Sequence, residues 1–173
     1  AKPDMSGVHK RAGEYIAKDL SKAVDRKELV TAAVAEAVKM HADRKSVIYF
    51  CVDVAHCEHV SAELLKHGID APAITGKTKH AHRDKIARRF AAGSLRAVCN
   101  VNVLTEGFDA TGTDCVVLFR PTLSKGLYVQ MVGRGLRTDP RKTDCLVLDF
   151  ASCIDEHGPI DIIDDGDTRL ATC

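Results

Sequence analysis

Four short apolar runs separated by helical patterns restrict this chain to very few folds. "SVIYFCV" (46–52), "AVCNVNVL" (97–104), "CVVLF" (115–119) and "CLVLDF" (145–150) are rich in β-branched residues and nearly free of polar ones. "PAIT" (72–75) is a shorter strand candidate. Between the runs lie amphipathic stripes: Val30, Ala33, Val34, Ala37 and Val38; then Cys57, Val60 and Leu64; then Ile86, Ala87 and Phe90. Apolar residues recurring at three and four mark the buried face of a helix, and a short continuous apolar run marks a strand covered on both sides. The alternation predicts an α/β fold, a parallel sheet flanked by helices on both faces. Such sheets bind ligands beyond the carboxyl ends of their strands, which directs attention to loops 52–56, 76–80, 105–113, 120–125 and 150–160.

At 173 residues there is room for one well-buried domain with tails. Residues 1–25 carry the helical pattern "EYIAKDLSKAV" and are expected to lead in from a preceding domain. Residues 26–163 hold the body of the domain, and 164–173 form a polar tail. The chain starts without Met, as expected of a piece of something longer. No apolar run approaches the ~20 residues that span a bilayer, and the start lacks a signal-peptide core. Seven cysteines form no CxxC pair, and Cys51, Cys99, Cys115 and Cys145 sit in or beside the apolar runs. A reducing, cytoplasmic setting is therefore expected, not a disulfide framework.

The net charge of +1 is uninformative, but its distribution is not. Between Lys77 and Arg96 there are seven Lys/Arg against the single acid Asp84, whereas 144–167 holds eight acids and no Lys or Arg. The basic block is either a solvated face or a phosphate-facing surface.

"APAITGKTKH" (71–80) fits a permissive phosphate-loop pattern, and "CLVLDF" resembles the strand that often accompanies one. A working loop of this kind is a buried strand running straight into the first glycine, then a cradle, then a helix. Here the preceding "LLKHGID" ends a helix, and the strand candidate lies inside the supposed cradle. The match reads as a decoy. Gly76, Thr78 and the following helix start could instead meet a phosphodiester, with Lys77, Lys79 and Arg83 adding charge. A plain strand-to-helix turn is the competing reading.

The stronger signal is "YVQMVGRGLRTD" (128–139), in which Gln130, Gly133, Arg134 and Arg137 fall on one helical face. No Asp or Glu lies between Asp114 and Asp139, so no acid nearby in the sequence neutralises these arginines. Their planar forks suit phosphate oxygens.

Together with "VNVLTEGFDATGTD" (101–114), this stretch resembles motifs V and VI of superfamily 2 helicases, in the second RecA-like domain. "SVIYFCVDVAHCEHV" is similar to motif IV, and the resemblance covers roughly residues 45–150. "RPTLSKGLYVQMVGRGLR", "CLVLDFA" and "HGPID" look most like bacterial RadD-like DNA-repair helicases and their phage relatives. The resemblance implies a P-loop NTPase-type fold without its own working P-loop, part of an ATP-dependent DNA helicase or translocase. It implies that Arg134 and Arg137 are arginine fingers for ATP, that Gln130 orders their helix, and that Gly107 and Asp109 line the nucleotide side. Thr105 would bond a strand phosphate, and Thr75, Gly76, Lys77, Arg83, Asp53 and His56 match backbone-contacting regions. Glu106 stands where some relatives carry Arg. ATP and Mg2+ would be held on a first RecA-like domain absent from this chain, leaving the fragment alone inactive. Single-stranded or duplex DNA is the implied partner, with RNA open and no membrane. Cys153, His157 and Cys173 are too few for a zinc site, so no metal is expected. Two other functions stay in view: a noncatalytic nucleic-acid-binding module, and a self-sufficient P-loop kinase or ATPase.

Overall fold

A computed structural model describes residues 2–101 and 110–160. All five expected strands form one parallel sheet: β3 (Val47–Phe50), β4 (Ala73–Ile74), β5 (Ala97–Asn100), β6 (Cys115–Leu118) and β7 (Leu146–Asp149). Their order across the sheet is β4-β5-β3-β6-β7. A small antiparallel hairpin, β1 (Lys10–Arg11) with β2 (Glu14–Tyr15), precedes it. The helices are α1 (Ala17–Val24), α2 (Lys27–Met40), α3 (Val54–Lys66), α4 (His80–Ala91), α5 (Lys125–Leu136) and α6 (Cys153–His157).

The continuous apolar runs are explained by alternation. Val47, Tyr49, Cys99, Cys115 and Val117 share a core with Val30, Val34, Ala37, Val60 and Leu64, so this face is covered by α2 and α3. The intervening Ile48, Phe50, Val98, Val116 and Leu118 pack with Ile86, Phe90, Tyr128, Met131 and Val132 of α4 and α5. Successive strand residues point to opposite faces, so both must be apolar when both faces are covered.

The chain leaves β5 on one side of β3 and re-enters at β6 on the other. The connection that crosses this switch point carries residues 102–109, which lie outside the described residues. Crevices at such reversals are where open α/β sheets take ligands.

The lead-in differs from expectation. Helix α1 starts at Ala17, not at Glu14, because Ala12 (φ 50) and Gly13 (φ 78) make a primed two-residue turn that pairs Lys10–Arg11 with Glu14–Tyr15. Met5, Val8 and Tyr15 pack with Leu20, Val24 and Val52, so the arm lies against the sheet's carboxyl side. The expected tail, 164–173, falls outside the described residues. No described helix is long and apolar enough to cross a membrane.

Two histidines are sealed in the body. His41 is fully buried, its Nε2 bonded to the Tyr49 hydroxyl, while Arg96 Nη2 donates to its carbonyl at 2.8 Å. His56 is 2% exposed. Burial pushes both imidazoles below their ordinary value of 6.5. A depressed folded pKa means that the unfolded chain takes up protons first, so stability is full above about pH 6.5 and is lost as pH falls through the folded values. The melting temperature is expected to fall between pH 7.5 and 5, and His41→Asn with His56→Gln should flatten that slope. An unchanged slope in the double variant assigns the acid sensitivity elsewhere.

Candidate functional site

Helix α5 begins at Ser124, whose hydroxyl accepts from the Leu127 amide. It buries Tyr128, Met131, Val132 and Gly135. It runs from the carboxyl end of β6 back toward the strand starts. Gly135 fixes that return: a Cβ there would lie 2.2 Å from Cys145 Sγ and 3.0 Å from Val116 Cγ2. Among the described residues nothing outside the helix lies within 4 Å of the same atom built on Gly133. Gln130 is exposed and Arg134 half-buried on the outer side.

Arg137 corrects the one-face expectation. It is the residue that leaves the helix (φ −62, ψ 136), so it sits on the turn after α5 and not on its surface. Three features stop the helix. Pro140 disfavours helical backbone at Asp139. The Asp139 carboxylate accepts from the Arg141 amide at 2.9 Å, Nε at 2.8 Å and Nη2 at 2.7 Å. Lys142 Nζ bonds the Gly135 carbonyl at 2.5 Å, a cation at a helix C-terminus.

The same turn is stitched to the segment that follows 102–109. Thr111 Oγ1 donates to Asp139 Oδ2 at 2.5 Å, and Lys142 Nζ reaches the Thr113 carbonyl at 2.6 Å. Thr113 in turn donates its hydroxyl to the Ala110 carbonyl at 2.8 Å. Arg141 Nη1 ties the loop to the Ala91 carbonyl at the end of α4, 2.9 Å away. Hydrogen bonds from Arg141 and Thr111 hold the Asp139 carboxyl well below the usual carboxylate range. Thr105, Gly107 and Asp109 lie outside the described residues. Their downstream neighbours, Ala110 to Thr113, are fastened beside Arg137.

The remaining candidates gather at the carboxyl edge. Asp53 caps α3 by accepting from the His56 amide at 2.9 Å. His56 had been expected to face a strand backbone, but it is buried. The Val52 amide donates to its Nδ1 at 3.3 Å, and its ring stacks on Phe119 with centroids 6.3 Å apart. These contacts tie the ring to the 52–56 loop and to Phe119. Strand β4 occupies Ala73–Ile74, inside the supposed phosphate loop, which rules out a cradle at 71–78. The following turn is self-satisfied: Thr75 N donates to Thr78 Oγ1 at 2.9 Å, Thr78 N to the Thr75 carbonyl at 3.0 Å, and Lys77 N to Thr75 Oγ1 at 3.2 Å. Thr75 is therefore buried and engaged, while Gly76 and Lys77 are exposed. Arg83 turns its Nη2 toward the Thr75 and Thr78 carbonyls, each 3.4 Å away, bracing the turn from beneath.

Cys153 is buried with its Sγ 3.5 Å from the Arg120 carbonyl, and His157 Nε2 is 2.9 Å from the Thr122 carbonyl, its ring stacked on Tyr128. Cys173 lies outside the described residues. Among the described residues no group of three or more His, Cys, Asp and Glu is placed to hold a metal ion.

Sequence reasoning missed Gly135, Thr111, Asp139, Arg141 and Lys142. One signal was present: Asp114 and Asp139 bracket a stretch without acids, and both prove to be structural. The Asp114 carboxylate takes the Lys45 amide at 2.9 Å and the Ser46 amide at 2.9 Å.

With this geometry in place, the chain can be set beside known proteins. The profile of the helicase conserved C-terminal domain matches residues 28–139. A putative ATP-dependent helicase of Saccharomyces cerevisiae, IRC3, is 34% identical over 149 residues, covering 85% of this chain and 22% of that protein. A 51.5 kDa protein of a Lactococcus phage is 30% identical over 155 residues, covering 90% of this chain and 34% of its own. The chain thus spans about a third or less of these relatives. The DEAD-box protein SrmB of Escherichia coli, solved with a regulator of ribonuclease activity, superposes with a TM-score of 0.61 at 18% identity, over 72% of this chain and 71% of that one. The chain belongs to the helicase conserved C-terminal domain family, as the second RecA-like domain of a superfamily 2 helicase.

Proposed function

We propose that the chain is the second motor lobe of an ATP-dependent DNA helicase or translocase, with Arg134 and Arg137 presented to ATP and Mg2+ held on an upstream RecA-like lobe. The observation that carries this reading is the stitching of Ala110–Thr113 to the turn after α5. It fastens Thr111 and Thr113, which follow the "TEGFD" segment in the chain, to the turn that Arg137 begins; on this reading Gly107 and Asp109 line the nucleotide. Gln130 and Arg137 are exposed.

Phosphoryl transfer needs charge neutralised on the γ-phosphate, and a finger from a second lobe supplies it only when the cleft closes. ATP then favours the closed state, and hydrolysis releases it. Thr105, Gly76 and Lys77 would grip a strand backbone at the carboxyl edge, with Thr75, Asp53, His56 and Arg83 shaping the loops that do so. DNA as the strand rests on the resemblance to RadD-like enzymes, which also motivates a role in repair within the cytoplasm.

On this reading residues 1–173 alone hydrolyse no ATP and bind single-stranded DNA weakly. That binding weakens with salt, and Lys77→Gln lowers the slope of log affinity against log salt by about one. Fluorescence anisotropy across a salt series measures it, with RNA of the same sequence as competitor. ATP turnover by the isolated chain that Arg134→Ala abolishes, so that a contaminating ATPase is excluded, would overturn the proposal. The noncatalytic alternative predicts the same binding but no effect of Arg134 in the longer protein.

A further inference from the structure

The arm that precedes the domain body is fastened at one point with unusual thoroughness. Glu14 reaches 108 residues along the chain, and its two carboxylate oxygens are filled by four donors. Oε1 accepts from the Leu123 amide and the Tyr15 amide, each at 2.9 Å. Oε2 accepts from the Thr122 hydroxyl and from the Ser124 amide at 3.3 Å. Burial alone would raise this carboxyl, but the bonds from Thr122, Leu123, Tyr15 and Ser124 outweigh it and leave Glu14 below its ordinary value. Burial also pushes the Arg120 guanidinium down, and the Glu14 charge acts against that shift.

The place of this contact matters more than its strength. Ser124 is the N-cap of α5, so Glu14 sits at the positive end of the helix whose other end carries Arg134 and Arg137. The primed turn at Ala12–Gly13 aims Glu14 there, and Ile16 N bonds the His9 carbonyl at 2.8 Å to close the hairpin behind it. Elsewhere the arm is held by apolar contacts to Val52, by the Asp25 carboxylate 2.8 Å from His59 Nδ1 on α3, and by an exposed Lys2–Asp155 pair at 2.7 Å, which is worth little in water. The charged latch links the arm specifically to the start of α5.

We propose that Glu14 is a positioning residue: it latches the upstream arm to the N-terminal end of α5, so that the arm's position and that of the arginine-bearing helix are coupled. The coupling to catalysis rests on the motor reading above; the latch itself does not. A rigid helix transmits a shift at one end to the other, and the arm is the segment through which any preceding lobe must pull.

The test separates the two. In residues 1–173, Glu14→Ala should speed amide hydrogen exchange in 5–20 and 121–127 together by about tenfold, the scale of one charge-assisted hydrogen bond. Exchange in β3 and β5 should stay unchanged. Glu14→Gln keeps the volume but replaces one acceptor oxygen with a donor facing donors. It should release the same two segments, whereas a merely space-filling role leaves it silent. Thr122→Val should give the same release, and the Glu14→Ala, Thr122→Val pair should be no worse than either alone. In a protein that includes the upstream lobe, Glu14→Gln should lower kcat about tenfold with KM for ATP little changed, since positioning acts on the transition state. Normal protection of 5–20 in Glu14→Ala, or additive single effects, overturns the latch. Coupled release with no change in kcat overturns the link to catalysis. If Arg134→Ala is also without effect in that protein, the motor reading fails while the latch stands.

Discussion

Replacing Arg134 by alanine in the protein that carries both lobes is expected to lower ATP turnover by about 10³-fold, the loss typical of an arginine finger. The effect should appear in kcat with ATP affinity changed far less, because on the proposed reading the guanidinium neutralises charge that develops only in the transition state. Arg134→Lys should not rescue, since a point charge lacks the planar fork that spans two phosphate oxygens. Gln130→Ala should be milder, because the side chain is exposed and on the proposed reading orders neighbouring groups without touching the phosphate. Steady-state turnover at saturating nucleic acid measures all three. Thermal melting of the variants provides the control, since a half-buried arginine on the outer side of α5 holds little of the core. A loss smaller than tenfold at Arg134 assigns the finger to another residue.

The sheet was legible in the sequence because its physics is local. The central strands β3, β5 and β6 are buried on both faces, so their runs had to be almost wholly apolar, and each helix stripe matched the face that packs. The decoy phosphate loop was also legible, since β4 takes residues that a cradle needs. The parts that failed depend on distant partners. His56 looked available because a histidine near a helix start is usually solvated; only the fold brings Phe119 over it. Arg137 looked helical because spacing alone cannot register the stop made by Asp139, Arg141 and Lys142. Glu14 looked like part of a helix, and nothing near it in the chain announces Thr122. Long-range polar stitches leave almost no periodic trace, yet they hold the candidate site in place.

The glycines of "VGRGLR" make the largest structural prediction, and they divide in a way that spacing could not show. Gly133 lies beside Arg134 on the helix, and among the described residues its missing Cβ would meet nothing outside the helix within 4 Å. Gly133→Ala should therefore leave stability unchanged or raise it by up to about 1 kcal/mol through helix propensity. Gly135 lies on the buried face, where an added Cβ would be 2.2 Å from Cys145 Sγ and 3.0 Å from Val116 Cγ2. Gly135→Ala should cost about 2 kcal/mol, the range of overpacked cores. In a domain of this size that lowers the melting temperature by roughly 4–8 °C. Because the nearest obstacle is a single sulfur, Cys145→Ala should relieve most of it. Gly135→Ala with Cys145→Ala should then melt close to Cys145→Ala alone, a coupling that a double-mutant cycle reads directly. Additive losses would mean that the backbone of α5, not the Cys145 side chain, sets the approach. Either way the seat of this one residue determines how closely α5 lies on β6, and hence where Arg134 stands relative to the Thr111–Asp139 stitch that anchors the turn beside it.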